Sequence, residues 1–356
     1  MRGTPVSLLD NIRISNGPEG LRRFFSEMLH TDRNRLLELL SDRRLHFGTL
    51  YLLKPDIISG GLREALPGIY KKALELSDEL CGVKTDGTLQ AGRRITPVRR
   101  RTGTGPSGRS REGGKTQAAD MIFSDTVAAP ALGWIAETGW DNDMPEDSYE
   151  LLMERCTALL LARLRHKPVL PAIADTIFSR HRQGRLIHNL VWAFFEARDR
   201  ESLYLVAQKL GSPDRRDIAL ARKLLRFIPG TDDDAMSGPA LYYGALKWLS
   251  ENMPFIYYTG ESMQMCPKPL YYAISYEAKY LGRQVSADSC ELPGPLRDHE
   301  NEQLTRFRSL DETQKQLLAD VSCALYRQDK HRWESWIRLP VSDQLASAAI
   351  FTEGSV

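Results

Sequence analysis

LYLVAQKLGSPDRRDIALARKLLRFIPG, residues 203–230, holds the pattern that decides the fold. Leu203, Val206, Ala207 and Leu210 recur at helical spacing. Gly211-Ser212-Pro213 is a stop, Asp214 a capping residue, and Ile218, Ala221, Leu225 and Ile228 recur on one face of the next helix before Pro229-Gly230 ends it. Two amphipathic helices joined by so short a break form an antiparallel hairpin. The same grammar extends upstream. Asp147 or Ser148 can cap a helix carrying Leu152, Cys156, Leu159 and Leu160; Pro168 opens another through Leu170, Ile173, Ile177 and Phe178; a third contains Leu186, Ile187, Leu190, Val191 and Phe194. The pattern predicts an all-α fold of stacked antiparallel helical hairpins.

Within this tract, Leu210-Gly211-Ser212-Pro213-Asp214-Arg215-Arg216-Asp217-Ile218-Ala219-Leu220-Ala221 resembles the turn and second helix of a HEAT-like repeat. Arg215 or Arg216 matches the family's ladder-forming basic position, and Ala219 and Ala221 match its small packing positions. The resemblance covers about residues 168–229 and implies a helical solenoid segment. An irregular helical bundle obeying the same packing rules is the alternative.

The N-terminal region is also helical in pattern, with Leu21, Phe24, Phe25 and Met28 on one face and Leu66, Ile69, Ala73, Leu76 and Leu80 on another. His46–Leu53 fits either a short helix or a strand. Then the character changes. Residues 91–116, AGRRITPVRRRTGTGPSGRSREGGKT, hold seven Arg, one Lys, one Glu and six Gly, a net charge of +7 in a chain whose total is +2. So little apolar surface cannot offset the entropy of ordering, which predicts a disordered basic linker. The expected domains are 1–90, an N-terminal helical subdomain; 91–116, the linker; and 117–356, a helical-hairpin domain.

Beyond residue 230 the composition turns aromatic: Tyr242, Tyr243, Tyr257, Tyr258, Tyr271, Tyr272, Tyr276 and Tyr280 are eight of 13 tyrosines. Helices are predicted over 238–252 and 269–281, with a loop or short strand pair between them, then a long helical tract over 299–328. Tyrosine combines a large apolar ring with a polar tip and is enriched at interfaces. Tyr242, Tyr243, Tyr257, Tyr258, Tyr271, Tyr272 and Tyr276, with Trp333 and Trp336 three residues apart, are therefore the candidate partner-binding residues, core packing being the competing explanation.

The composition excludes whole-chain disorder, collagen and a disulfide-stapled miniprotein, and no run of about 18 uncharged apolar residues suggests a membrane span. The opening residues lack the apolar stretch of a signal peptide. Cys81, Cys156, Cys266, Cys290 and Cys323 are widely spaced with no C-x-x-C pair, which predicts reduced thiols and a cytoplasmic location. Gly103–Ser110 imitates a phosphate-binding loop, but Arg99-Arg100-Arg101 precedes it where an apolar strand is required. Asp141-Asn142-Asp143 lacks the glycine of a calcium loop, and Asp298-His299-Glu300 looks like a helix start. No cofactor or metal is expected, and no catalytic residues are assigned.

The expected function is a non-enzymatic intracellular scaffold or adaptor that binds a protein partner through a helical, tyrosine-rich face. One alternative is a nucleic-acid-associated protein whose Arg93, Arg94, Arg99, Arg100, Arg101, Arg109, Arg111 and Lys115 neutralise phosphates. A second is a hydrolase or transferase with a site near Glu261 and Ser262, where Gly260-Glu261-Ser262 begins like a nucleophile elbow but lacks its second glycine.

Overall fold

The computed structural model describes residues 6–82, 126–140, 144, 147–232 and 238–353. The linker expected at 91–116, with all eight of its cationic candidates, lies outside them. The described chain is all-α apart from one small two-stranded sheet, and it divides into two compact units, Met1–Ile173 and Ala174–Val356. No helix among the described residues is long and apolar enough to cross a membrane.

In the first unit, α1 (Leu8–Thr31), α2 (Arg33–Leu40), α3 (Phe47–Leu52), α4 (Lys54–Ser59) and α5 (Gly68–Gly82) surround a core of Leu9, Leu21, Phe25, Leu36, Leu40, Leu50 and Ile57. His46–Leu53 is thus helical. α1 is broken at Gly17, whose φ of 71° before Pro18 is a conformation that side chains with a Cβ rarely adopt. A single buried carboxylate joins two helix starts. Asp10 accepts from the Ser7 N–H (3.1 Å) and Oγ (2.6 Å) as the capping box of α1, and also from the His46 N–H (3.2 Å) and Thr49 Oγ1 at the start of α3.

The unit is completed by α6 (Ala128–Thr138) and α7 (Asp147–Ala158), which the sequence assigned to the C-terminal domain. Trp134 of α6 stacks on Tyr70 of α5 with ring centroids 4.5 Å apart, and Thr138 Oγ1 accepts the Phe47 N–H at 3.1 Å. Arg155 of α7 donates to the Leu80 carbonyl. The aromatic and apolar faces of 128–158 fit the N-terminal core, so the boundary expected at 117 gives way to one inside α8 (Leu170–Arg182).

The second unit continues with α9 (His188–Glu196), α10 (Ser202–Ala207), α11 (Arg215–Leu224) and α12 (Gly238–Asn252). The helix expected over Leu203–Leu210 is α-helical only to Ala207 and tightens to a 3₁₀ turn over Gln208–Gly211. From α8 to α12 the helices run 13, 9, 6, 10 and 15 residues, lengths that follow no fixed repeat. β1 (Ile256–Tyr258) pairs antiparallel with β2 (Tyr272–Ile274), joining Ile256 to Ile274 and Tyr258 to Tyr272. β2 occupies what the sequence reads as the first half of a helix. Only α13 (Tyr276–Tyr280) is helical there, capped by Ser275. Aromatic residues favour the pleated backbone, and pairing with β1 overrides the helical spacing.

α14 (Asp298–Arg308) and α15 (Glu312–Gln328) split the long tract predicted over 299–328; Glu300 accepts the Arg297 N–H at 2.7 Å at the start of α14, and Asp311 with Gln314 forms a capping box at the start of α15. With α16 (Lys330–Trp336) and α17 (Val341–Glu353) they enclose Tyr280, Phe307, Leu318, Leu325 and Trp336. All five cysteines are free thiols; Cys156 and Cys323 are buried, and burial raises both thiols, Cys156 well above the ordinary range.

Candidate functional site

Half of the eight clustered tyrosines are core. Tyr258, Tyr271, Tyr272 and Tyr280 are buried, Tyr242, Tyr257 and Tyr276 are half-buried, and among them Tyr243 stands out at 69% exposed. Tyr271 stacks on Phe195 of α9 at 4.0 Å, Tyr280 stacks on Phe307 at 4.4 Å, and the Tyr242 ring lies 3.7 Å from where a Cβ on Gly211 would stand. The tryptophans behave alike. Trp336 is buried and donates to Ser347 Oγ (2.8 Å), and half-buried Trp333 donates to Ser322 Oγ (2.8 Å). Of the nine expected recognition residues four are buried, four are half-buried and Tyr243 is exposed, so less ring surface is open than the sequence pattern suggests: β1 and β2 turn Tyr258 and Tyr272 into the core.

Tyr258 is tied in through both its hydroxyl and its ring. Its hydroxyl donates to Glu196 Oε2 at 2.8 Å, and the Arg198 guanidinium lies over its ring at 5.3 Å. Arg198 also pairs with Glu196 (2.7 Å) and Asp288 (3.1 Å), and its backbone takes a φ of 53°, uncommon for a residue with a Cβ. Burial, reinforced by the Glu196 carboxylate, pushes the Tyr258 phenol far above its ordinary value, so it stays neutral at any physiological pH. Beside it, Arg200 donates to the carbonyls of Met253, Ile256 and Val285, fixing the entry to β1.

Glu261 and Ser262 sit in the loop between β1 and β2. The Glu261 carboxylate accepts the Leu270 N–H at 2.8 Å and a weak bond from Cys266 Sγ at 3.8 Å. Ser262 is buried, and its carbonyl accepts from the N–H groups of Met265 and Cys266. Both residues close a compact loop. Among the described residues no group of three or more His, Cys, Asp or Glu side chains is placed to hold a metal ion.

The surface feature that sequence reading missed lies on α11. Asp214 caps this helix by accepting the Arg216 N–H at 2.8 Å, as expected. Its one acid, Asp217, is 4% exposed and accepts from Arg182 Nη1 (2.8 Å) and Ser212 Oγ (2.9 Å), while Arg216 donates to the Arg182 carbonyl. These bonds dock the first turn of α11 on the last turn of α8. α11 carries four cations, Arg215, Arg216, Arg222 and Lys223, in ten residues, and its one carboxylate is turned inward.

Arg215, Ile218, Ala219 and Arg222 line an open groove of about 340 Å³. The spacing of apolar residues places Ile218 inside; instead Leu220, Ala221 and Leu224 take the interior and Ile218 is half-exposed. Its back is supported by the start of α12, where a Cβ on Gly238 would stand 3.5 Å from Ile218 Cδ1 and 3.0 Å from the Leu210 carbonyl. Glycine permits that approach. Leu186, expected inside α9, precedes the helix and is 72% exposed.

His181, at the end of α8, borders this basic surface. Its Nδ1 is buried without a hydrogen-bond partner, and burial lowers its pKa; Lys223 and Arg216 lower it further, against the opposing effect of Asp217 and Asp214. A histidine lowered in the folded state is protonated first in the unfolded chain. Stability should therefore fall as pH drops through about 6.5, and level off once the folded histidine also titrates. Urea titrations should show His181→Asn losing less stability than wild type between neutral and mildly acidic pH; curves that stay parallel down through mildly acidic pH would remove His181 from the acid response.

Comparison with protein-family models, with curated proteins and with solved structures finds no match to this chain.

Proposed function

We propose that the chain is a non-enzymatic adaptor whose second unit binds a protein partner on the exposed face of α11. The observation that carries this reading is the groove itself: two arginines flank a half-exposed isoleucine on a helix whose acid is tied inward. A combination of apolar floor and cationic rims suits a macromolecular surface better than plain solvent. The tyrosines support it less than expected, since Tyr243 is the exposed one among them. The enzymatic alternative has less support, because Glu261 and Ser262 both take part in closing their own loop. The nucleic-acid alternative depends on Arg93–Lys115, outside the described residues.

A photo-crosslinking amino acid at exposed Ala219 tests the proposal against a control at exposed Ser250 of α12. The expected result is a protein adduct at 219 that is absent at 250. The recovered protein, once purified, should bind the wild-type chain and lose affinity for Ala219→Trp, which fills the groove without changing charge. Equal adducts at both positions, or indifference to the tryptophan, would overturn the reading.

A further inference from the structure

We infer that the occupant of the α11 groove is an acidic amphipathic helical segment of the partner, an inference that rests on the adaptor reading above. Arg215 and Arg222 are seven residues apart on one helix, so their α-carbons are separated by about 10.5 Å along the axis, two turns. Ile218 and Ala219 fall three and four residues after Arg215, on the same face and between the two cations. The groove thus reads, end to end, as cation, apolar floor, cation.

A helix carrying carboxylates two turns apart, with apolar side chains one turn in from each, presents the complementary order at the same spacing. Its carboxylates meet a guanidinium at either end, whose N–H groups donate to them. Its apolar ridge enters over Ala219, where the small side chain leaves room, and covers Ile218. The one acid on α11 is withdrawn into its pair with Arg182, so the face opposes an incoming carboxylate with no like charge of its own helix.

The apolar floor argues against a nucleic acid as occupant. Phosphates would engage the two arginines but leave Ile218 and Ala219 without apolar cover, and no aromatic side chain lines the groove for a base to stack on.

The test is fluorescence anisotropy on the full chain with three labelled probes. One is a synthetic helical peptide with glutamates two turns apart and leucines between them; the second is the same peptide with serine for leucine; the third is a single-stranded oligonucleotide. The first peptide should bind at least about tenfold more tightly than the second, since burying the floor carries part of the affinity. Arg215→Glu with Arg222→Glu should weaken it by more than about tenfold, and Ala219→Trp should weaken it comparably, with circular dichroism unchanged in each variant. Equal binding of the two peptides, tighter binding of the oligonucleotide, or no binding of the first peptide overturns the inference. If the peptide fails while crosslinking at 219 still yields a groove-dependent partner, the adaptor reading stands and only the partner's chemistry is wrong; if both fail, both fall.

Discussion

Asp10→Ala should remove about 4 kcal/mol from the stability of the first unit, because it leaves one buried and one half-buried backbone donor at about 1–3 kcal/mol each and two hydroxyls without their acceptor. Asp10 is fully buried and serves two helices at once: it is the third residue of α1 in the capping box with Ser7, and it caps α3, whose own N-cap residue, His46, makes no side-chain cap. Losing it unties α1 from α3 as well as fraying each. Asp10→Asn keeps one acceptor oxygen and should recover part of the loss. Hydrogen exchange followed by mass spectrometry locates the effect: amides of residues 8–52 should exchange faster in Asp10→Ala, those of the second unit unchanged. A loss below about 1 kcal/mol, the ordinary scale of a surface change, would mean that water or a rearranged Ser7 replaces the carboxylate.

The role of Asp10 was invisible in the sequence for a plain reason. A lone acid near a helix start looks like any first-turn carboxylate, and its second duty depends on a residue 36 positions away. Helices themselves were legible, because periodicity is local: Asp214, Gly211-Ser212-Pro213 and the capping acids of 298–300 do in three dimensions what their spacing says. What failed required tertiary information. Tyr271 and Tyr272 sit in a stretch that satisfies helical spacing, yet strand pairing with Tyr258 claims Tyr272. Ile218 satisfies the same inward spacing as Ala221 and Leu225, yet the interior beneath α11 is filled by Leu220 and Leu224. The low-apolar run at 91–116 drew the domain boundary to itself, whereas the boundary follows the packing of Trp134 and Thr138 on α5 and α3. The candidate groove was hidden for the same cause: its one large apolar residue, Ile218, has the spacing of a core position.

The aromatic interior of the second unit makes the other large prediction. Phe195 is fully buried, stacked on Tyr271 with rings 16° from parallel, and edge-on to Phe194 at 5.2 Å. Phe195→Ala removes its transfer free energy and leaves a cavity walled by rigid rings that collapse poorly, so the second unit should lose about 3–5 kcal/mol. Tyr272, also fully buried and 6.0 Å from Phe195, gives the contrast. Its hydroxyl has no hydrogen-bond partner, so Tyr272→Phe removes a buried, unsatisfied dipole and keeps the ring. That variant should be as stable as wild type or slightly more so. Tyr258→Phe, in turn, deletes a bond to the Glu196 carboxylate and should cost about 1.5–3 kcal/mol, the range for hydrogen bonds to charged groups. Urea denaturation of the three variants ranks them directly. If Tyr272→Phe proves as damaging as Tyr258→Phe, the hydroxyl has a partner and the polar ring of Asp199, Arg198 and Asp288 around it holds water. If Phe195→Ala costs less than about 1 kcal/mol, the tyrosines are not packed as a core, and the tyrosine-rich surface expected from the sequence returns as the candidate for recognition.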